Sequence, residues 1–452
     1  MPAEMAHRLD NRTSKKQLGI LMLISLVISS QVGSGIFVFP AILAPYGTIG
    51  LVGWIFSGAG AISLALIFSE LSSKIVKNGG PHVYVTEAFG QKTGFFIAWI
   101  YWIISWASNS VLLVTITNYL STIVGTLSPA QTIFIQIGVL LVITFINLMG
   151  IRTSGFIELI LTSLKVIPLF ILPFIFFTSF NLKHFKVSGP VLSITDTWTI
   201  ISKTALLGFW GFVGVECATT PAERVKNPQK TLPRAIIFGT ACVAFIYLFN
   251  LVSVFGVTGF EPMVGANAPY AIAMNKIFPG YANGNIIISL LAVIVCFGTL
   301  NAWTLSAGQI AQGAAADRLF PSFLGKTNKN EAPALSILIA SFGIIILLII
   351  AQFSSQGGLE RLIDFMASLF LIIYLACSVS YAKMVKNWKK DPADRIKSYM
   401  LAAFAIAFCI FVVAQDILNT ILALAVFISI GIPVYLSVKK RLVLAETQDP
   451  IG

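Results

Sequence analysis

Ser30-Gln31-Val32-Gly33-Ser34-Gly35-Ile36-Phe37 lies in the middle of the first long apolar stretch of the chain. Gly33, Ser34 and Gly35 are poor material for a helix that must cross lipid, since each glycine costs about 1 kcal/mol against alanine in a helix. Backbone polar groups left unpaired in hydrocarbon are costlier still. An interruption at this depth survives only where it lines a cavity or is enclosed by protein. The N–H groups freed by such a break form an anion site, and transporters place a substrate carboxylate there. The stretch reads as a broken membrane helix, and a broken membrane helix points to transport.

The composition agrees. Of 452 residues, 57% are hydrophobic and 11% charged, with a mean hydropathy of +0.88. Soluble domains carry about 25% charged residues, so a soluble globular chain is excluded. Crossing the hydrocarbon takes about 20 apolar residues in a helix. Twelve segments qualify: 18–44, 48–72, 92–124, 130–149, 156–178, 203–222, 233–257, 282–312, 334–352, 359–386, 397–415 and 418–438. They are called spans one to twelve below. No soluble domain fits between them, and 179–202 and 258–281 read as loops. The first apolar run lacks a small-residue cleavage site, so it is expected to be a retained span rather than a removed signal.

An even number of crossings puts both termini on one side, and the positive-inside rule says which. Most of the 30 Lys and Arg fall in the N-terminal tail and in the loops on its side. Lys183, Lys186, Lys203, Lys276 and Arg361 fall on the other side, and Lys165 falls within span five. The asymmetry supports the span count and predicts cytoplasmic termini in the inner membrane. The net charge of +12 is therefore read as topology and not as nucleic-acid binding. The five cysteines, Cys217, Cys242, Cys296, Cys377 and Cys409, sit in apolar segments without metal spacing and read as small apolar filler. His7, His82 and His184 read as isolated, and no zinc-protease, Walker or nucleophile-elbow pattern occurs. No cofactor or metal is expected.

Span six carries Leu207-Gly208-Phe209-Trp210-Gly211-Phe212-Val213-Gly214-Val215-Glu216. Glycines recur every three residues and a carboxylate follows inside the membrane. Small-residue helix packing explains the glycines but not Glu216. Spans one and six also match in having a proline seven residues past a central glycine, Gly33 to Pro40 and Gly214 to Pro221. Corresponding interrupted segments in two halves point to an inverted repeat with a mid-membrane substrate site. The expected organisation is a cytoplasmic tail over 1–17, a first repeat over 18–178, a second over 203–386, two further helices over 397–438 and a cytoplasmic tail over 439–452.

Several motifs in order now carry a family resemblance. They are Gly33-Ser34-Gly35-Ile36-Phe37 with Pro40, the loop from Gly79-Gly80-Pro81 through Tyr84 to Phe89-Gly90, Gly214-Val215-Glu216, Val225-Lys226-Asn227-Pro228, and Ala315-Ala316-Asp317-Arg318-Leu319-Phe320-Pro321. Over nearly its whole length the chain resembles the amino acid–polyamine–organocation (APC) transporters. It looks most like the arginine/agmatine and ornithine/putrescine antiporters among them. The resemblance implies an all-α membrane protein of twelve transmembrane helices, a five-plus-five inverted repeat with helices 1 and 6 broken, two extra helices, and alternating access.

An amino acid substrate needs one receptor for its carboxylate and ammonium and another for its side chain. Ser34 and the backbone of Gly33 and Gly35 are expected to take the carboxylate, with Gly35 keeping open the space a substrate main chain needs. Carbonyls from Trp210 through Gly211 to Gly214 are expected to take the ammonium. Gln31 departs from the apolar residue usual in the family and is expected to add a hydrogen bond or change selectivity. The resemblance implies that Trp303 is the indole on which cationic substrates stack, a contact that gains about 2 kcal/mol when desolvated. It also implies that Trp210 is an aromatic gate and Asn109 a polar contact to the substrate side chain. Tyr101 and Ser105, eight and four residues before Asn109, share its helical face. For each of these, plain packing or interhelical hydrogen bonding is the competing explanation.

Intramembrane charges are costly and usually functional. Glu216 matches the proton-sensitive glutamate of the antiporters. Lys165 departs from them and resembles the lysine that other APC branches set against the span-one break in place of an ion. It lies too deep in span five for easy snorkelling. The leading expectation is exchange of a basic amino acid for another amino acid or its decarboxylated amine. Proton-coupled uptake of broad or neutral amino acids is the alternative, and a non-transporting sensor or a membrane-embedded enzyme the alternative of another class. The expected partners are small-molecule amino acids or amines and the lipid bilayer, and a homodimer is the assembly considered.

Overall fold

The structure is a computed structural model that describes residues 18–185, 193–280, 282–352 and 358–448. The tail over 1–17, with His7, and Lys186 lie outside the described residues. Among those residues every long element is a helix, and the isolated bridge of Leu18 with Val225 is the strand-type pairing.

The first span is two helices, α1 (Ile20–Gln31) and α2 (Ser34–Leu43), separated by Val32 and Gly33. Then come α3 (Gly47–Lys74), α4 (Pro81–Phe89), α5 (Gln91–Ala107), α6 (Asn109–Val124), α7 (Pro129–Leu148) and α8 (Ile151–Phe177). The second half runs through α9 (Ile194–Phe209), α10 (Pro228–Thr258), α11 (Pro269–Ile277), α12 (Ala282–Ala316), α13 (Ala334–Gln352) and α14 (Gly358–Trp388). It closes with α15 (Pro392–Val413) and α16 (Ile417–Gln448). Nine stretches of the described residues are long and apolar enough to cross a membrane. Three of these, Ile20–Lys74, Gln91–Val124 and Pro392–Lys440, each hold more than one α-helix, and Ala334–Ile350 is a shorter apolar helix. The chain is an all-α membrane protein.

Four local readings differ from the structure. The segment 258–281 is not a bare loop, because α11 opens at Pro269 with a proline in its first turn. The segment 179–202 ends in helix: Ser193 caps α9 by accepting from the Asp196 N–H at 3.1 Å, so span six begins earlier than 203. The Gly79–Gly90 loop encloses helix α4, bounded by Gly80 (φ 87°) and Gly90 (φ 83°). His82, in that helix, is buried and lies 3.3 Å from Asp317 at the end of α12, so it is not isolated. In addition, α16 continues past 438 to Gln448.

Span six breaks more completely than span one. Its helix stops at Phe209, and the chain continues through short 3-10 turns at Trp210–Phe212, Cys217–Thr219 and Ala222–Arg224 until α10 begins at Pro228. Gly214 sits at φ 109°, where a side chain would be strained. Helix α10 packs against both α1 and α3, and α9 packs against α3. Helix α12 packs against α5, α6 and α8, and α7 against α13. The two breaks themselves are thus buried in protein, while α16 leaves many apolar side chains exposed for lipid. At one end of the bundle the broken spans meet: the Leu18 N–H donates to the Arg224 carbonyl at 3.2 Å and the Lys226 N–H to the Leu18 carbonyl at 3.0 Å.

Candidate functional site

A helix that stops inside a bundle leaves its last carbonyls without donors of its own. In α1 these belong to Ser29, Ser30, Gln31 and Val32, and each is met by a side chain from another helix. Lys165 Nζ of α8 donates to the Ser29 carbonyl at 2.9 Å. Trp303 Nε1 of α12 donates to the Ser30 carbonyl at 3.1 Å. The Tyr247 hydroxyl of α10 donates to the Gln31 carbonyl at 3.0 Å, and Thr299 Oγ1 of α12 to the Val32 carbonyl at 2.7 Å. A cation among these donors suits the negative end of a helix dipole. This is how unpaired backbone is made tolerable at the depth of Gln31.

The start of α2 is treated differently. No side chain caps it, and Gly33, Ser34 and Gly35 line a small cavity. Ser30 and Gln31 complete that wall. Opposite stand Trp210 and Val213 of span six, Ser108 and Leu112 of span three, and Thr299 and Trp303 of α12. Trp210 Nε1 donates to Ser34 Oγ at 3.2 Å, which draws the indole across the break. Trp303 is 4% exposed, with Phe370 packed edge-on against its ring at 5.5 Å. Gln31 Nε2 donates weakly to the Val27 carbonyl and to Thr240, both at 3.3 Å. Its Oε1 is buried and has no partner among the described residues. A side chain at Gly35 would meet the Phe39 ring at 2.9 Å and the Tyr247 hydroxyl at 3.1 Å. That glycine therefore makes room for packed aromatics while it forms part of the cavity wall.

Glu216 does not line the cavity. It is fully buried behind the span-six break, where Tyr101 donates to Oε1 at 2.8 Å and Tyr374 donates to Oε2. The Tyr374 hydroxyl also accepts the Gly214 N–H at 3.2 Å. The Gly214 carbonyl accepts from Ser30 Oγ at 3.1 Å, which ties the two breaks together. Both backbone groups of Gly214 are thus engaged within the protein.

Of the residues singled out in the sequence, Gln31, Gly33, Ser34, Gly35, Trp210 and Trp303 meet at the cavity. Lys165 and Glu216 stand behind one break each. Tyr101 is turned to Glu216, and Ser105 Oγ donates to the Trp102 carbonyl of its own helix at 2.7 Å. Span three is divided at Ser108, so Asn109 opens a new helix, with Nδ2 3.5 Å from Thr304 and a buried, unpartnered Oδ1. Gly211 packs against Phe39 and Tyr247. Sequence reasoning passed over Tyr247, Thr299, Tyr374, Ser108 and Leu112, which carry no local signature. It also passed over Glu158, a carboxylate in span five that was open to the same reasoning as Glu216. Among the described residues no three His, Cys, Asp or Glu are grouped to hold a metal ion.

The amino acid permease family pattern matches residues 18–445. The chain belongs to the amino acid permease family. Membership makes it an integral membrane transporter and not an enzyme. Among its relatives is a cadaverine/lysine antiporter of Escherichia coli K12, 29% identical over 88% of this chain and 89% of that protein. A putative arginine/ornithine antiporter of Bacillus subtilis 168 is 28% identical over 93% and 96%. An arginine/ornithine antiporter of Pseudomonas aeruginosa PAO1 is 26% identical over 93% and 90%.

Proposed function

We infer that this permease exchanges a basic amino acid, arginine, ornithine or lysine, for another amino acid or its decarboxylated amine by alternating access. The observation that carries the reading is the cavity where both helix breaks meet, walled by two indoles and open to an uncapped helix start. The α2 N-terminus with Ser34 suits a substrate carboxylate. Gln31 Oε1 and Asn109 Oδ1 are acceptors suited to an ammonium, and the Trp303 and Trp210 faces suit a cationic side chain or a diamine. The relatives' substrates, basic amino acids and diamines, are of this chemistry.

The architecture we propose is twelve transmembrane helices in a five-plus-five inverted repeat, with α15 and α16 outside it. Helix α10 on α1 and α9 on α3 are the contacts that exchange when the two halves are swapped, which supports the repeat. The Lys and Arg distribution supports cytoplasmic termini. Lys165 at the span-one break favours a second reading, proton-coupled uptake of neutral or broad amino acids. Liposome counterflow decides. Exchange requires labelled arginine, lysine or ornithine to enter only when an unlabelled substrate is inside. Uptake of neutral amino acids driven by a pH gradient alone would replace the first reading with the second.

A further inference from the structure

Glu158 is a buried charge that the transport reading leaves unused. It lies seven residues before Lys165 on α8, so the two share a face roughly 10 Å apart along the helix. Its carboxylate accepts from three side chains. Ser29 Oγ donates to Oε1, Thr162 Oγ1 to the same oxygen at 3.3 Å, and Asn301 Nδ2 to Oε2 at 2.8 Å. Ser29 Oγ accepts at the same time from Lys165 Nζ at 2.7 Å. One hydroxyl therefore joins a buried ammonium to a buried carboxylate. That hydroxyl sits on the last turn of α1, the half-helix whose end the ammonium holds. On the other side, Asn147 Nδ2 donates to Asn301 Oδ1 at 3.0 Å, which points the Asn301 amide N–H at Glu158. Asn301 precedes the cavity's Trp303 by two residues on α12.

We propose that Glu158 is the proton partner of Lys165 and its positioning residue, reached through Ser29, so that coupling rests on a chain of three side chains and not on Lys165 alone. The proposal rests on the transport reading above. The step balances: Lys165 Nζ gives a proton to Ser29 Oγ as the Ser29 O–H proton passes to Glu158 Oε1. A neutral amine, an unchanged serine and a neutral carboxylic acid result, and loss of the carboxylic proton to water then leaves the pair one proton poorer, the net step through which pH enters. In the charged state the ammonium grips the Ser29 carbonyl and the carboxylate grips Asn301, so α1 and α12 are both held to α8. In the neutral state both grips weaken together. The other titratable side chains on the surrounding helices are few. Helix α12 brings Cys296 near Lys165. Helix α10 brings Tyr247, which is engaged with Gln31 and Gly33, together with Cys242, Lys230 and Arg234. Helix α11 carries Tyr270 and Lys276, and α1 and α7 contain no titratable side chain.

The test uses the full-length protein in liposomes and in detergent, with Glu158→Gln, Ser29→Ala, Ser29→Thr, Lys165→Met and the Glu158→Gln/Lys165→Met double variant. Labelled-lysine exchange is followed from weakly acidic to weakly alkaline pH. Glu158→Gln should slow exchange about tenfold and flatten its pH profile. Ser29→Ala should flatten the profile too, although it removes no charge, and Ser29→Thr should restore it. A lower rate with the wild-type pH profile in Glu158→Gln and Ser29→Ala would mean a packing role and overturn the proposal. The second readout is thermal unfolding in detergent across the same pH range, without substrate. A coupled pair predicts that the double variant keeps more stability than the two single losses imply. Additive losses overturn the pair. If the wild type exchanges none of the basic amino acids or diamines, the transport reading fails, and the substrate-free unfolding cycle still decides the pair by itself.

Discussion

The break in span one and the break in span six open the membrane interior in opposite ways. The first is short, and helix resumes at Ser34. Its exposed carbonyls are taken up directly by side chains of α8, α10 and α12. The second does not return to α-helix before Pro228. Its pivot, Gly214, is held through an intermediary, since the Tyr374 hydroxyl accepts the Gly214 N–H and donates to Glu216. A cation stands behind the first break and a carboxylate behind the second. The first brace is distributed over several direct bonds to backbone. The second passes through one phenol and one carboxyl, so the state of a single proton bears on it more heavily. A change of protonation is thus shared among several backbone contacts at the first break and concentrated on one phenol–carboxyl pair at the second.

The comparison breaks most decisively at Lys165. Lys165→Ala strips the Ser29 carbonyl of its cationic donor and leaves Glu158 without its partner, and exchange flux at equal membrane abundance should fall by about 100-fold or more. Wild-type flux would show that the span-one break needs no internal cation. Alanine at the two break glycines comes next. Gly214→Ala places a side chain at positive φ and 2.8 Å from Ser30 Oγ, for a loss of about 1–3 kcal/mol in thermal unfolding. At Gly33, with φ −137°, the added methyl meets the Thr299 side chain at 2.9 Å and the Leu112 side chain at 3.4 Å, and the loss should be smaller. Equal losses would erase the difference between the breaks. Trp303→Leu should weaken arginine, lysine or ornithine relative to a neutral amino acid by about 1–2 kcal/mol, roughly 5- to 30-fold. A uniform loss in the same competition assay would make Trp303 only the cap of the Ser30 carbonyl. The smallest effect is expected at the second brace. Glu216→Gln should leave substrate binding within about threefold while flattening the pH dependence of exchange, and Tyr374→Phe should do so in part. A steep pH profile in both would place the proton elsewhere.

Much of this was legible along the chain. Glycine runs announced both interruptions, because a helix in lipid tolerates glycine pairs only for a reason. Lys165 and Glu216 stood out because charge is rare in spans. The apolar segments fell on helices because the bilayer leaves the backbone few other ways to pair its polar groups. What stayed hidden are the partners. Tyr247, Thr299 and Tyr374 look like ordinary span residues until the bundle sets them against backbone more than 150 positions away. Tyr101 was grouped with Asn109 by helical spacing, but the turn at Ser108 interrupts that helix and hands the phenol to Glu216. Glu158 was visible as sequence. Only the geometry shows that its carboxylate and the Lys165 ammonium share one serine.

The pairing of Leu18 with Val225 has a mechanical consequence. The backbone bonds at 3.2 and 3.0 Å join the entry of the first broken span to the exit of the other. Such a clasp fixes two levers at a common fulcrum. If α1 swings away from the bundle, it must drag the tail of span six with it, or the clasp must unzip first. Opening on that side is then a concerted stroke of both arms, and the Lys165 brace and the Glu216 brace are loaded in the same motion.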